Sequence, residues 1–290
     1  MKSFEYAAPE SLAEATTLLA RRSGTARVLA GGTDLLVQLR EHLRDADLVV
    51  DVKRVPELME LSFRPQDGLR LGASVPCSRV YDDAVVSAAY PGLADAARIV
   101  GGWQIQGRAS IGGNLCNASP AGDTIAPLIA LKARCIVVGQ EGTREVPAEG
   151  FCSAPGRNVL GRGEMLVTIV VPPPAARAGS AYERFIPRNE MDIAVVGAAS
   201  WVRLDPAGET IVEARVALGA VAPTTVLAAE AGRWLAGRPA TDETFARAGE
   251  LARAAAIPIS DMRGTAEYRT HLVGVLTRRT LARAVERARG

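Results

Sequence analysis

Five glycines fall within thirteen residues in the segment Gly101-Gly102-Trp103-Gln104-Ile105-Gln106-Gly107-Arg108-Ala109-Ser110-Ile111-Gly112-Gly113. Glycine loses more conformational entropy on folding than any other residue and adds no side chain to a core. So dense a run is kept where something must come very close to the backbone. The usual guest is an anion held by successive main-chain N–H groups, with a pyrophosphate foremost. Asn114-Leu115-Cys116-Asn117-Ala118-Ser119-Pro120 and then Gly122-Asp123-Thr124 follow at once.

The two halves of the segment differ in what they support. Gly102 to Gly107, followed by Arg108 and Ala109, has P-loop-like glycine spacing but lacks the Lys and Ser/Thr that hold phosphates and magnesium. No Gly-x-Gly-x-x-Gly follows a strand, so a Rossmann site is unsupported as well. Ser110-Ile111-Gly112-Gly113-Asn114 is more telling. Adjacent glycines let consecutive amides converge on one oxygen cluster, with Ser110 and Asn114 able to add side-chain hydrogen bonds. Asp123 either caps the helix that follows or accepts hydroxyl protons from a ribose or ribityl chain. A second glycine site, Ala30-Gly31-Gly32-Thr33-Asp34-Leu35, lies between a strand and a helix N-terminus. By itself it is a tight turn or an anion site in equal measure.

Composition removes other classes. A net charge of +2 over 290 residues does not support nucleic-acid or anionic-membrane binding. No apolar run approaches the roughly 20 residues that span a bilayer. Met1 to Tyr6 reads as a short strand rather than a secretory h-region, which makes cytoplasm the expected compartment. Cys77, Cys116, Cys135 and Cys152 contain no Cys-x-x-Cys, against an iron–sulfur or structural zinc site in this chain. With only His42 and His271, a histidine metal site or catalytic triad is poorly supplied.

Three units are expected: 1–56, 57–175 and 176–290. The first reads strand, helix, strand. It has a capping box at Ser11-Leu12-Ala13-Glu14, a strand from Arg27, a helix from Leu35 to about His42, and a strand from Leu48. The second holds strands at Leu69–Ala73 and Arg134–Val138, helices near 80–87, 93–100 and 124–131, and the run Met165 to Val171. Pro172-Pro173-Pro174 and the small residues up to Ser180 read as a linker. The third has β-rich runs Ile193–Leu204 and Thr210–Leu218, then helices near 225–236, 242–256 and 265–288. Arg279, Arg283 and Arg287 on the last helix form either a solvated face or a docking surface.

Together, Ala30 to Leu35, Ser110 to Pro120 and Asp123-Thr124 resemble the FAD-binding medium subunit of the molybdenum hydroxylases, the xanthine dehydrogenase and aerobic carbon monoxide dehydrogenase family. The similarity spans nearly the whole chain. Looser matches include Pro155-Gly156-Arg157, Gly163-Glu164-Met165-Leu166 and Tyr182-Glu183-Arg184-Phe185. The resemblance implies an α+β fold: a two-part FAD-binding domain of vanillyl-alcohol-oxidase type, then a C-terminal domain with a three-stranded antiparallel sheet and helices. It places the FAD pyrophosphate on Ala30, Gly31, Gly32, Thr33, Asp34 and Leu35 with Ser110, Ile111, Gly112, Gly113 and Asn114, and counts Leu29 among the cofactor-binding residues. Asp123 stands at the family's cofactor-bonding acid, Val100 and Leu166 near positions that pack on the cofactor, and Arg184 where relatives often carry Lys. Thr33-Asp34 replaces the His-Ser of carbon monoxide dehydrogenase relatives.

No acid/base catalytic residue is expected here. The implied role is electron transfer: from a [2Fe-2S] small subunit, fed by a molybdopterin-binding large subunit, through FAD to NAD, quinone, oxygen or another acceptor. The alternative is a self-sufficient flavin oxidase or dehydrogenase with its own small substrate, which the shortage of histidine disfavours.

Overall fold

The structure, a computed structural model, describes residues 2–21 and 24–290, so Met1 of the expected opening strand lies outside the described residues. The first unit is a parallel three-stranded sheet in the order β1-β3-β2, built from β1 (Glu5–Ala7), β2 (Ala26–Leu29) and β3 (Leu48–Asp51). Helix α1 (Leu12–Ala20) starts at Ser11, whose hydroxyl accepts from the Glu14 amide at 3.2 Å. The Glu14 carboxylate accepts from the amide of Glu10 rather than that of Ser11, so the capping box closes one residue early. Helix α2 (Leu35–Arg40) is shorter than its sequence pattern suggests, and His42 beyond it takes φ 57°. Between β2 and α2 runs the Gly31-Gly32 turn, at the carboxyl end of a parallel strand, where open α/β sheets bind ligands.

The second unit is an antiparallel sheet in the order β4-β5-β10-β6-β7. Its strands are β4 (Leu61–Arg64), β5 (Gly68–Gly72), β6 (Arg134–Gly139), β7 (Gly142–Pro147) and β10 (Met165–Val171). All seven residues of the central β10 are buried, which is why it reads as an unbroken apolar run. By contrast, β7 is nearly all exposed and polar, and its residues carry no strand signal. A small ribbon, β8 (Cys152–Ala154) with β9 (Arg157–Asn158), precedes β10.

Six short helices fill the interval from β5 to β6: α3 (Cys77–Asp82), α4 (Ala84–Ala89), α5 (Pro91–Ala97), α6 (Trp103–Gln106), α7 (Ile111–Asn117) and α8 (Ile125–Ala130). The glycine-rich segment is therefore mostly helical rather than an open loop. Asp123 does not cap α8; the capping position is Thr124, which makes no side-chain cap bond.

In the third unit β11 (Ala178–Phe185), β12 (Val196–Leu204) and β13 (Thr210–Gly219) form the antiparallel three-stranded core of the sheet. Two-residue strands β14 (Val226–Leu227) and β15 (Arg238–Pro239) add to β13. Strand β11 starts inside the expected linker. Its small residues are there for packing: a Cβ on Gly179 would stand 2.1 Å from the carbonyl oxygen of Ala284. Composition alone cannot separate that reason from flexibility. Helices α9 (Ala229–Leu235), α10 (Asp242–Arg253) and α11 (Ala266–Arg289) cover one face.

Side chains alternate across this sheet. Ala181, Ala198 and Leu218 join the core under the C-terminal helices. Tyr182, Ala199 and Ala217, paired in register, join the core shared by the first two units. The C-terminal sheet is thus buried on both faces. Two arginines of the expected solvated face of α11 are internal partners: Arg287 grips Asp95 bidentately at 2.6 and 2.9 Å, and Arg279 pairs with Glu183 at 3.0 Å. No helix among the described residues is long and apolar enough to cross a membrane, and none of their His, Cys, Asp and Glu side chains form a metal-binding cluster.

Candidate functional site: a cleft closed by two glycine loops

Gly31 has an immediate reason to lack a side chain. A Cβ there would lie 1.8 Å from the carbonyl oxygen of Arg108, so the two glycine loops touch backbone to backbone. The contact is reinforced by the Arg108 Nε, which donates to the Gly31 carbonyl at 3.0 Å, and by Gln38 Nε2, which donates to Asn117 Oδ1 at 3.0 Å. Gly32 takes φ +77°, a backbone region that side-chain-bearing residues rarely occupy. In the second loop, a Cβ on Gly112 would stand 2.4 Å from the Ala73 carbonyl oxygen. On Gly113 it would meet only Ser110 Oγ.

Ser110 sets up the second loop as the cap of α7. Its extended backbone and its Oγ, accepting from the Gly113 amide at 3.0 Å, end the preceding turn. The Asn114 side chain points back into the protein: Oδ1 accepts from the amide and hydroxyl of Thr124 at 3.2 and 2.8 Å. Among the described residues, the amides of Thr33, Asp34 and Leu35, and that of Gly112, donate to no protein acceptor, while Ser110 pairs with Pro76 in an antiparallel bridge. Unspent N–H groups from both loops thus border one space.

That space is a cleft of about 270 Å³. Ala30 to Leu35 line it, as do Ser110, Gly112, Gly113 and Asn114, with Val100 and Leu166 as apolar wall. The register of β10 slips between Leu166 and Thr168, and the Val167 carbonyl accepts from the Ala73 amide at 2.9 Å, next to where Leu166 faces the cleft. Val100 is held by the buried Gln106, whose Nε2 donates to the carbonyls of Arg98 and Val100 while Tyr81 donates to its Oε1.

Four of the anticipated residues lie off the cleft. Leu29 and Ile111 turn into the core. Asp123 and Arg184 meet each other instead, at 2.5 Å, in the seam between the second and third units. Tyr182 donates its hydroxyl to the other Asp123 oxygen at 2.9 Å. Burial pushes the Asp123 carboxyl up to about 6, although Arg184 and Tyr182 both pull it down. Trp103, in the glycine-rich segment, is 74% exposed and outside the cleft lining.

Other lining residues escape the sequence pattern. Arg27 and Arg44 also line the cleft; burial, and then Arg44, lower Arg27 from its ordinary value. Asn158, at the end of β9, and Leu160 just after it also border the cleft. Only the Pro-Gly-Arg at 155–157 pointed toward that corner. Cys116 also borders the cleft, and burial raises its thiol so that it stays protonated and unreactive.

Paired amide loops with an apolar wall define a dinucleotide-type cofactor site. Residues 2–174 match the family model of the FAD-binding domain in molybdopterin dehydrogenase, and 180–284 that of the CO dehydrogenase flavoprotein C-terminal domain. The chain is 32% identical to the putative xanthine dehydrogenase FAD-binding subunit of Escherichia coli K12, over 98% of this chain and 97% of that one. It is 35% identical to the carbon monoxide dehydrogenase medium chain of Hydrogenophaga pseudoflava, over 96% of each. A solved structure of the latter organism's carbon monoxide dehydrogenase, lacking the Mo-pyranopterin moiety, superposes with a TM-score of 0.92 at 34% identity, covering 99% of this chain and 98% of that chain.

The chain belongs to the FAD-binding flavoprotein subunits of the xanthine dehydrogenase and carbon monoxide dehydrogenase family. It is a flavoprotein oxidoreductase, and FAD is its cofactor.

Proposed function

We propose that this chain is the electron-transfer subunit of a molybdenum hydroxylase complex. In this reading it takes electrons from a [2Fe-2S] subunit, served by a molybdopterin subunit, and delivers them to NAD, a quinone, oxygen or another acceptor. The observation that carries the cofactor assignment is the convergence of the Gly31-Gly32 and Gly112-Gly113 loops on one cleft. The amides at 33–35 and that of Gly112 would hold the pyrophosphate. Val100 and Leu166 would exclude water from the ring system. The flavin supplies the redox chemistry when bound, and the protein sets its position.

Leu29, Ile111, Asp123 and Arg184 would act by supporting the loops and the seam. Asp34 lines the cleft, its carboxyl raised from the ordinary value chiefly by burial, and it sits within the run of loop amides at 33–35 that would face the pyrophosphate. The organisation into units 1–56, 57–175 and 176–290 fits this division of labour, with a cytoplasmic setting.

Affinity purification from the native host tests the reading. Molybdenum, a [2Fe-2S] protein and one FAD per chain should co-purify. A flavin-loaded chain that recovers neither partner and oxidises a small molecule alone would contradict it.

A further inference from the structure

Consecutive carbonyls in the first glycine loop are each held by a cationic side chain from outside the loop. Lys53, just past β3, donates from Nζ to the Ala30 carbonyl at 3.0 Å. The same Nζ is anchored to Asp51 Oδ1 at 2.6 Å, and Tyr6 fixes the other Asp51 oxygen from its hydroxyl at 2.8 Å. Arg108, from the second loop, donates from Nε to the next carbonyl, Gly31, at 3.0 Å. Lysine is scarce in this chain, standing only at 2, 53 and 132, so its presence beside the loop is not a matter of composition.

A trans peptide points its C=O and N–H in opposite directions. Drawing the Ala30 carbonyl toward Lys53 therefore turns the Gly31 amide the other way. Drawing the Gly31 carbonyl toward Arg108 does the same for the Gly32 amide. Neither amide donates to a protein acceptor among the described residues, and both residues border the cleft. A cation on the carbonyl also polarises each peptide, which strengthens its N–H as a donor.

We infer that Lys53 and Arg108 are positioning residues for the cofactor pyrophosphate, acting through the peptide groups of Gly31 and Gly32 without touching the cofactor. This rests on the proposed FAD role of the cleft. Arg108 also ties the orientation of the first loop to the placement of the second, so the two amide sets are fixed together.

The test uses the full apo chain and the variants Lys53→Met, Arg108→Met, Lys53→Arg and Arg108→Lys, titrated with FAD and with ADP, which shares the pyrophosphate. Both Met variants should weaken FAD and ADP in parallel by about tenfold, the scale of a hydrogen bond to a charged group. The conservative variants should recover to within about threefold, because a cationic donor is restored. At saturating FAD, the ³¹P resonances of the bound pyrophosphate should move in the Met variants while the flavin absorption band stays in place. This readout holds even where affinity or stability has dropped.

Met variants that bind FAD like the parent, or that shift the flavin band and leave the ³¹P resonances unmoved, would overturn the assignment. So would conservative variants as weak as the Met ones. A parent chain that takes up no FAD would overturn the function reading itself, which keeps the two failures apart.

Discussion

The cofactor cleft and the seam beneath the C-terminal sheet are built from opposite materials. The cleft is made of backbone: two glycine loops in van der Waals contact, with unspent amides and few charged side chains. The seam is made of buried charge: Asp123 with Arg184 and Tyr182, flanked by the Asp95–Arg287 pair, which also receives the Tyr182 amide at 3.1 Å. A backbone site tolerates changes in surrounding side chains but not an added Cβ. A charge site tolerates neither the loss of one partner nor a change in what the other partner faces.

The largest expected effect follows from breaking the seam. Asp123→Asn leaves the Arg184 side chain, 6% exposed, without its counter-ion. Removing one partner of a buried pair costs about 3–5 kcal/mol. Urea unfolding should show that loss, and a loss below about 1 kcal/mol would mean that the pair is hydrated in solution.

Breaking the cleft should cost less stability and more ligand. Gly31→Ala forces a Cβ against the Arg108 carbonyl, and overpacking of that kind costs about 1–3 kcal/mol. Because the strain separates the two loops, FAD affinity should fall roughly 10- to 100-fold by titration. Unchanged affinity would mean that loop contact does not matter for binding.

A pH series sharpens the contrast. Burial raises Asp123 from 3.8 to about 6, so between those values the folded chain holds a proton that the unfolded chain has released. Its contribution therefore favours folding more as pH falls from about 6 toward about 4. Glu164, lowered to about 2 chiefly by its hydrogen bond from Arg144, keeps its stabilising contribution through most of that window and loses it only at lower pH. Urea unfolding of the parent should therefore show no loss from this carboxyl as pH falls from about 6 toward about 4, and a loss that Glu164 does not account for would remove the raised carboxyl from the explanation.

The smallest effect is expected from Asp123→Leu with Arg184→Met and Tyr182→Phe, the last removing the hydroxyl that would otherwise lose its acceptor. Replacing both charges by apolar groups should leave stability within about 1 kcal/mol of the parent, since such swaps are often neutral. A loss in urea unfolding as large as that of Asp123→Asn would show that the seam needs its charges and not merely their balance.

Legibility in the sequence divides along the same line. The glycine loops were readable because the property they need, absence of a Cβ, is written at each position without reference to partners. Their pairing across some eighty residues came from resemblance, and the Arg108 carbonyl oxygen, which a Cβ on Gly31 would meet at 1.8 Å, supplies its physical cause. The seam was not readable. Asp123 before a helix has the local look of a cap, and its actual partner, Arg184, lies 61 residues away. Strand β11 was hidden because the small residues that let α11 sit close to it look like a linker. Lys53 and Arg108 gave no local signal, since what they do is defined by carbonyls that only the folded chain brings near.

Hydrogen exchange on the full chain, with and without FAD, tests the central claim most directly. Amides of 31–35 and that of Gly112 should gain protection together on FAD addition, with half-saturation at the same concentration. Protection confined to one loop, or arising at two different concentrations, would contradict a single pyrophosphate held by both.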